Sequence, residues 1–303
     1  MDMKALAMYA EQANCRVTTG ISMATATTFR IGGPADLLID IPHAEAAAAV
    51  LRFCKAENIP WLWLGNGSNL LVGDRGIRGA VLRWDTRRSA PQLVSENTIT
   101  AEAGLSLQRL CLFARDNALA GLEFAYGIPG TVGGAVYMNA GAYGGQMADV
   151  LVSATCLTAQ GEIVHVPDED LRLDYRHSAL METGAIVAAV TLRLQPGDKE
   201  AIAARMKELI AKRQEKQPLE YPSAGSFFKR PTGYFAGALV EQSGLKGYRV
   251  GGAQVSEKHA GFVINRENAT AADVRRLCAD VQEKVRTLHG VSLEPEVQFV
   301  GEF

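Results

Sequence analysis

Five cysteines are all that this 303-residue chain holds, and no two of them stand as CxxC. Cys15, Cys54, Cys111, Cys156 and Cys278 are odd in number and widely spaced. That argues against a disulfide framework or a zinc site, and for small apolar core residues in a reducing compartment; no metal is expected. No sign of charge dominates, since the net charge is −2. Nothing therefore draws the chain as a whole to nucleic acid or to an anionic membrane, and any anionic ligand has to be held locally. No run approaches the roughly 20 apolar residues of a membrane span. The opening "MDMKALAMYAEQANC" lacks the apolar stretch and small-residue cleavage site of a secretory leader, so a soluble cytoplasmic protein is expected. Two nucleotide signatures are missing as well: there is no GxxxxGK[ST], and no GxGxxG opening a strand–helix unit with an acidic residue about twenty positions on.

What is present is a mixture of helix and strand signals, an α+β pattern long enough for two or three domains. "PHAEAAAAVLRFCKAENIP" reads as a helix ended by Asn58 and Pro60, followed by the apolar strand "WLWLG". A second helix is expected across "SLQRLCLFARDNAL", with Ser106 capping it and Leu107, Leu110, Cys111 and Ala114 on its inner face. "VLVSATCLTAQGEIVHV" reads as a hairpin turning at "TAQGE", and "AIVAAVTLRL" as a further strand. A charged helix from about Lys199 to Pro218, with Ile202, Met206, Leu209 and Ile210 on one face, marks the passage into another domain. A last helix opens on Thr270 and Asp273 in capping-box spacing, stops at Gly290, and turns Val274, Leu277, Cys278, Val281, Val285 and Leu288 inward. "VSLEPEVQFVG" closes the chain as a strand.

Glycine marks the first functional candidates. "GNGSNLL" (65–71) lies between apolar runs, and the segment 126–145 holds seven glycines in twenty residues, against a usual share of about 7%. Glycine lets main-chain N–H groups approach a ligand closely, which is how a nearly neutral protein can hold a pyrophosphate. "GTVGGAVYMNAG" can also begin a short helix whose N-terminus adds favourable partial charge. Tight turns between packed strands would use the same residues, but two such loops point to a dinucleotide-sized ligand.

"GNGSNLLV", "IPGTVGGAVYMNAGAYG", "DYRHS", "AGSFFKRP" and "LEPEV", in this order, resemble the UDP-N-acetylenolpyruvoylglucosamine reductase (MurB) family of bacterial cell-wall synthesis. "TTFRIGGPADLL" resembles the start of its flavin domain, and the likeness runs from about Thr27 to Gly301. The resemblance implies a flavin-binding fold of the vanillyl-alcohol-oxidase/PCMH type in two subdomains, 1–85 and 86–198, and a C-terminal α+β substrate-binding subdomain, 199–303. It implies FAD held by Gly65, Asn66, Gly67, Ser68, Asn69 and Leu70, and by Gly127, Pro129, Gly130, Thr131, Gly133, Gly134, Ala135, Asn139, Ala140 and Gly141. It further implies NADPH as electron donor and a UDP-sugar whose enolpyruvyl ether becomes a lactyl ether, with no obligate protein partner. None of the five histidines lies in either glycine loop, so noncovalent FAD is expected. The stretch between Arg176 and Lys199 has little room for the inserted loop of one form of the family, so the chain resembles the shorter type II form.

The implied chemistry asks for three groups. Hydride added to the outer enolpyruvyl carbon leaves enolate character beside the carboxylate, which needs positive charge or hydrogen bonds and then a proton. Arg176 suits the first role, since a guanidinium stays charged and grips a carboxylate with two parallel bonds. Ser226 suits the second as proton donor, with Phe227 and Phe228 expected to exclude water. Glu296 resembles the family's glutamate at the same centre; on a strand it shares a face with Glu294, so periodicity does not separate the two. Lys216, Lys229 and Arg230 are candidates for the UDP phosphates or the substrate carboxylate. Plainer readings stand beside these: Arg176 paired with Asp174, Ser226 as a turn residue, Glu296 as an edge-strand charge. Two other functions share the pattern, an FAD-linked oxidase of the same fold and a noncatalytic flavin or UDP-sugar binding protein.

Overall fold

The computed structural model describes residues 2–87 and 89–303. The chain forms two compact units that do not follow its order: one holds residues 1–18, 37–66 and 79–213, the other 19–36, 67–78 and 214–303.

The first unit has two apolar cores. In one, the Ala44–Ala56 helix buries Ala47, Val50, Leu51 and Cys54, while Trp61–Trp63 runs parallel to Ile77–Trp84 with Leu62 opposite Val81. Asp40, 4% exposed, is clamped there by Arg16 at 2.8 Å and Arg83 at 2.5 Å, since a buried carboxylate must be paired. The other core lies under a five-stranded antiparallel sheet in the order Ile163–Pro167, Leu151–Leu157, Ile186–Arg193, Thr98–Glu102, Gln92–Ser95. The expected hairpin pairs Leu157 with Ile163, and its turn is held by the Thr158 N–H on the Glu162 carbonyl, with Gly161 at φ 76°. The Leu107–Asp116 helix starts where Ser106 Oγ accepts from the Arg109 N–H, and buries the four residues its spacing pointed to.

The charged helix spans Lys199–Lys216, and Ile202 and Met206 join this second core. A break between the compact units falls after Arg213. All five cysteines are buried thiols. Burial pushes Cys15, Cys54 and Cys156 up to about 11 and Cys278 to about 12, which suits inert core residues.

In the second unit a four-stranded antiparallel sheet runs in the order Ser223–Ser226, Phe262–Asn265, Ala253–Val255, Arg249–Val250, and packs with the Ala271–His289 helix around one core. That helix begins with a full capping box: Thr270 Oγ1 accepts from the Asp273 N–H, and Asp273 Oδ2 from the Thr270 N–H, each at 3.0 Å. The Asp74 carboxylate takes the next two amides, Ala271 at 2.7 Å and Ala272 at 2.9 Å. Gly290 ends the helix at φ 68°. Leu288 departs from expectation at 52% exposed, because Val285 is the last residue of the face to reach the core. The closing strand is also shorter than expected. Only Gln298–Val300 is a strand, parallel to Leu70–Val72, because residues 291–297 are held irregularly by bonds to the Phe227–Lys229 segment. Among the described residues no helix is long and apolar enough to cross a membrane.

Candidate active site

In the first unit the two glycine segments meet. Asn66 Nδ2 donates to the Pro129 carbonyl at 3.1 Å, and a Cβ on Gly65 would stand 3.0 Å from Thr131 Oγ1. The anticipated short helix is present as Val132–Tyr137, capped by Thr131 Oγ1 on the Gly134 N–H. The Val132 N–H donates to the Leu105 carbonyl at 2.8 Å and the Gly133 N–H to the Ala103 carbonyl at 2.9 Å, so the first amides of the helix are committed within the chain. Gly133 is there for packing: a Cβ would lie 2.8 Å from that of Ala103. Ala135 is buried with it, and Gly130 takes the Leu107 N–H on its carbonyl.

By contrast, the amides of Gly65 and Asn66 donate to no acceptor among the described residues, and the same holds in the second unit for Gly67 and Ser68. Gly67 has φ 61°, and a Cβ there would be 2.3 Å from the Ala26 carbonyl oxygen. Such uncommitted N–H groups, on a loop that only glycine can form, fit a pyrophosphate.

Asn139 is 1% exposed, and its side chain is engaged entirely within the unit: Nδ2 donates to Gln146 Oε1 and to the Asp174 carbonyl, and Oδ1 accepts from the Ala148 N–H. It shapes the loop. Ala140 continues that fold-back, donating to the Ala135 carbonyl and accepting from Met147.

The bond from Asn139 to Asp174 also brings "DYRHS" to the glycine segment. Asp174 and His177 exchange two main-chain hydrogen bonds of 3.1 Å around the turn, and Ser178 Oγ donates to the Tyr137 carbonyl at 2.7 Å. At the turn, Arg176 takes φ 53°, donates from Nη2 to the Gly141 carbonyl at 3.2 Å, and lies 5.2 Å from the Tyr175 ring centroid. Asp174 Oδ1 accepts from the Tyr175 N–H. Asn139, Tyr143, Arg172 and Arg176, all non-glycine, have φ between 40° and 54°. Left-handed backbone costs energy at such residues, so the surrounding structure has to hold it in place.

In the second unit, Ser226 ends its strand opposite Phe262, after Gly225 at φ 79°, and is exposed. Phe227 and Phe228 were expected to shield it from water. Instead they are 1% and 5% exposed in the core, with their rings edge to face at 5.1 Å. They anchor the chain on which Ser226 stands, because alternation turns a serine outward where the next side chain turns in. The Glu296 N–H donates to the Phe227 carbonyl at 2.8 Å, Asn69 Nδ2 donates to the Glu296 carbonyl at 3.1 Å, and the Gln298 N–H donates to the Asn69 carbonyl at 3.0 Å. Three segments far apart in sequence thus meet beside Ser226. The irregular path of 291–297 also separates the two glutamates. Glu294 is 74% exposed and faces Lys229 Nζ at 3.4 Å, while Glu296 is half-buried. Arg230 stacks on Phe235 at 3.8 Å, Leu70 opens the strand paired with Gln298, and Lys216 is exposed at the end of its helix.

Comparison with known proteins gives this arrangement a family. Residues 217–300 match the UDP-N-acetylenolpyruvoylglucosamine reductase C-terminal domain, and residues 35–167 match an FAD binding domain. The UDP-N-acetylenolpyruvoylglucosamine reductase of Agathobacter rectalis is 53% identical over 288 residues, 91% of each chain. The chain belongs to the UDP-N-acetylenolpyruvoylglucosamine reductase family. Proteins of the same name from Lachnoclostridium phytofermentans and Streptococcus pneumoniae are 49% and 50% identical, over 95% and 90% of this chain. The crystal structure of the reductase (MurB) from Thermus caldophilus superposes with a TM-score of 0.82 at 38% identity, covering 94% of this chain and 99% of that one. The family is one of oxidoreductases, and the FAD binding domain holds both Gly65–Leu70 and Gly127–Gly141.

Sequence reasoning missed two features of the site. Asn69 acts through its side chain, holding Glu296, as well as through its backbone. His259 takes the Gly261 N–H on Nδ1 at 3.0 Å and meets the ring of Phe262, the residue paired with Ser226, edge to face at 5.2 Å. Burial lowers its pKa. Only the two glycines around it hinted at this: a Cβ at Gly261 would be 2.9 Å from its Cε1, and one at Gly237 3.2 Å.

Proposed function

We propose that this chain reduces UDP-N-acetylglucosamine enolpyruvate to UDP-N-acetylmuramate at the expense of NADPH, in cytoplasmic synthesis of peptidoglycan precursors. The observation that carries the reading is the 2.8 Å bond from the Glu296 N–H to the Phe227 carbonyl, which puts Ser226 and Glu296 on neighbouring main chain. Residue composition, family membership and the uncommitted amides of Gly65–Ser68 support it. The bound FAD supplies hydride donation, renewed by NADPH.

The chain's own residues do the rest. Arg176 spreads the negative charge that develops beside the substrate carboxylate, and Glu296 stabilises the same centre. The Ser226 hydroxyl gives its proton to the enolate carbon. A serine is a weak acid, but the carbon is a stronger base than a carboxylate and needs no histidine to be protonated. Being exposed, Ser226 can regain its proton from solvent. Glu294, held by Lys229, has no part in this step. Lys216, Lys229 and Arg230 serve the UDP-sugar, and the three apolar cores correspond to two flavin-holding parts and a substrate-holding part.

The test is anaerobic. The protein is reduced with NADPH, the enolpyruvyl ether is added, and the visible flavin band is followed. Return of the oxidised band without oxygen is expected; a band that returns only in air overturns the reductase in favour of an oxidase. Ser226→Ala is expected to bleach normally and to recover about 10²–10⁴-fold more slowly. Equal recovery in the variant removes Ser226 as the proton donor.

A further inference from the structure

Nine asparagines stand in the chain, and Asn66 alone is followed by glycine. Asparagine is chemically labile, because the main-chain nitrogen of the next residue can attack its side-chain carbonyl carbon. Two things oppose that attack: a Cβ on the next residue, which crowds the approach, and a hydrogen bond that already claims its N–H. After six of the other eight asparagines the N–H is claimed. Cys15 donates to the Ala10 carbonyl, Ile59 to that of Cys54, Ala118 to Arg115, Ala140 to Ala135 and Arg266 to Gly252, while Ala269 donates to Asn265 Oδ1, all between 2.7 and 3.0 Å. The remaining two, Asn69 and Asn97, precede Leu70 and Thr98, which begin strands and carry bulky side chains.

At Asn66 both obstacles are missing. Gly67 has no Cβ, and its N–H, although the residue is buried, donates to no acceptor among the described residues. The Asn66 side chain is exposed. Its hydrogen bond, from Nδ2 to the Pro129 carbonyl at 3.1 Å, holds the nitrogen that would leave and not the carbon that would be attacked.

We infer that Asn66 is a site of spontaneous deamidation and that bound FAD protects it. In the step, the Gly67 nitrogen gives its proton to hydroxide and bonds to Asn66 Cγ. The Cγ–Nδ2 bond breaks, and Nδ2 takes a proton from water and leaves as ammonia. Water then opens the ring at either carbonyl and leaves an aspartate or isoaspartate at position 66. Amide and water become acid and ammonia, with nothing oxidised or reduced.

The product has lost the donor to Pro129 and gained a negative charge beside the amides of Gly65–Ser68, where a phosphate has to sit. An isoaspartate also lengthens the main chain of a loop shaped by Gly67 at φ 61°. An empty loop therefore ages into one that takes FAD poorly, while a filled loop keeps the Gly67 N–H on its ligand and stays intact. The inference rests on the reading of Gly65–Ser68 as the flavin-phosphate loop.

The experiment holds apoprotein and FAD-loaded protein side by side in warm, mildly alkaline buffer and follows the tryptic peptide 56–75 by tandem mass spectrometry. That peptide carries Asn58 and Asn69 as internal controls. In the apoprotein Asn66 is expected to convert about tenfold faster than either, or more. FAD at about 100 times its Kd leaves about 1% of the loop open, so it should slow the conversion about tenfold or more. Conversion at Asn66 no faster than at Asn58 overturns the inference. Conversion selective for Asn66 yet equal with and without FAD overturns the protection, and with it the reading of this loop as the flavin-phosphate site. Asn66→Asp supplies the product's charge directly. It should bind FAD about tenfold more weakly than the parent, with the gap narrowing as salt screens the charge. The aged parent, separated by charge, replaces this variant should it not fold, and an affinity within about threefold of the fresh parent overturns the claim that ageing closes the loop.

Discussion

The two glycine-rich segments look alike in sequence and do different work. Around Gly65–Ser68 the main-chain amides donate to nothing among the described residues. Along Val132–Gly134 they are bonded to Leu105, Ala103 and Thr131 Oγ1, and Gly133 is present because Ala103 leaves no room for a Cβ. Composition marks both as candidate phosphate cradles. Only the second fate of each amide, ligand or chain, tells a binding loop from a packing joint.

Gly67→Ala strikes the first kind of loop and carries the largest expected effect. A left-handed alanine costs about 1–2 kcal/mol, and its Cβ would fall 2.3 Å from the Ala26 carbonyl oxygen, so the backbone has to leave its present path. FAD affinity should drop by about tenfold or more, measured by fluorescence titration of the apoprotein. Unchanged affinity would mean that this loop's shape is irrelevant to the cofactor, and the contrast would fail.

Gly133→Ala strikes the second kind. Overpacking against Ala103 should lower stability by about 1–3 kcal/mol and the apoprotein's melting temperature by roughly 2–4 °C per kcal/mol. The rise in melting temperature on adding FAD should stay as in the parent, because no ligand contact is touched. A smaller rise would put Gly133 back among the cofactor residues.

How far the sequence carries depends on the range of the interaction. Local rules placed the Ser106 cap, the Thr270–Asp273 box, the turn at Gly161 and the stop at Gly290, because each is decided within about four residues. Family motifs pointed to Arg176, Ser226 and Glu296. What escaped is decided across the chain. The amides of the Val132–Tyr137 helix looked open until the carbonyls of Ala103 and Leu105, some thirty residues back, took them. Glu294 and Glu296 looked equivalent while residues 291–297 were read as a strand, and became distinct once Phe227 and Lys229 bent that path. Phe227 and Phe228 were expected to exclude water and lie in the core, since hydrophobicity gives burial but not the partner.

Asn66→Ala is the smallest and sharpest test of the contrast, since Asn66 joins the two segments. Its Nδ2 bond to the Pro129 carbonyl is exposed, so its removal costs toward the low end of about 0.5–1.5 kcal/mol. Because Pro129 and Thr131 are already fixed by the packed segment, that energy holds the open loop in place more than it holds the fold. The apoprotein's melting temperature should therefore move little, while FAD affinity falls about two- to fivefold. The opposite pattern, a less stable apoprotein with FAD affinity intact, would make Asn66 part of the packing joint. The open amides of Gly65 and Asn66 would then need no help from their neighbour to meet a ligand.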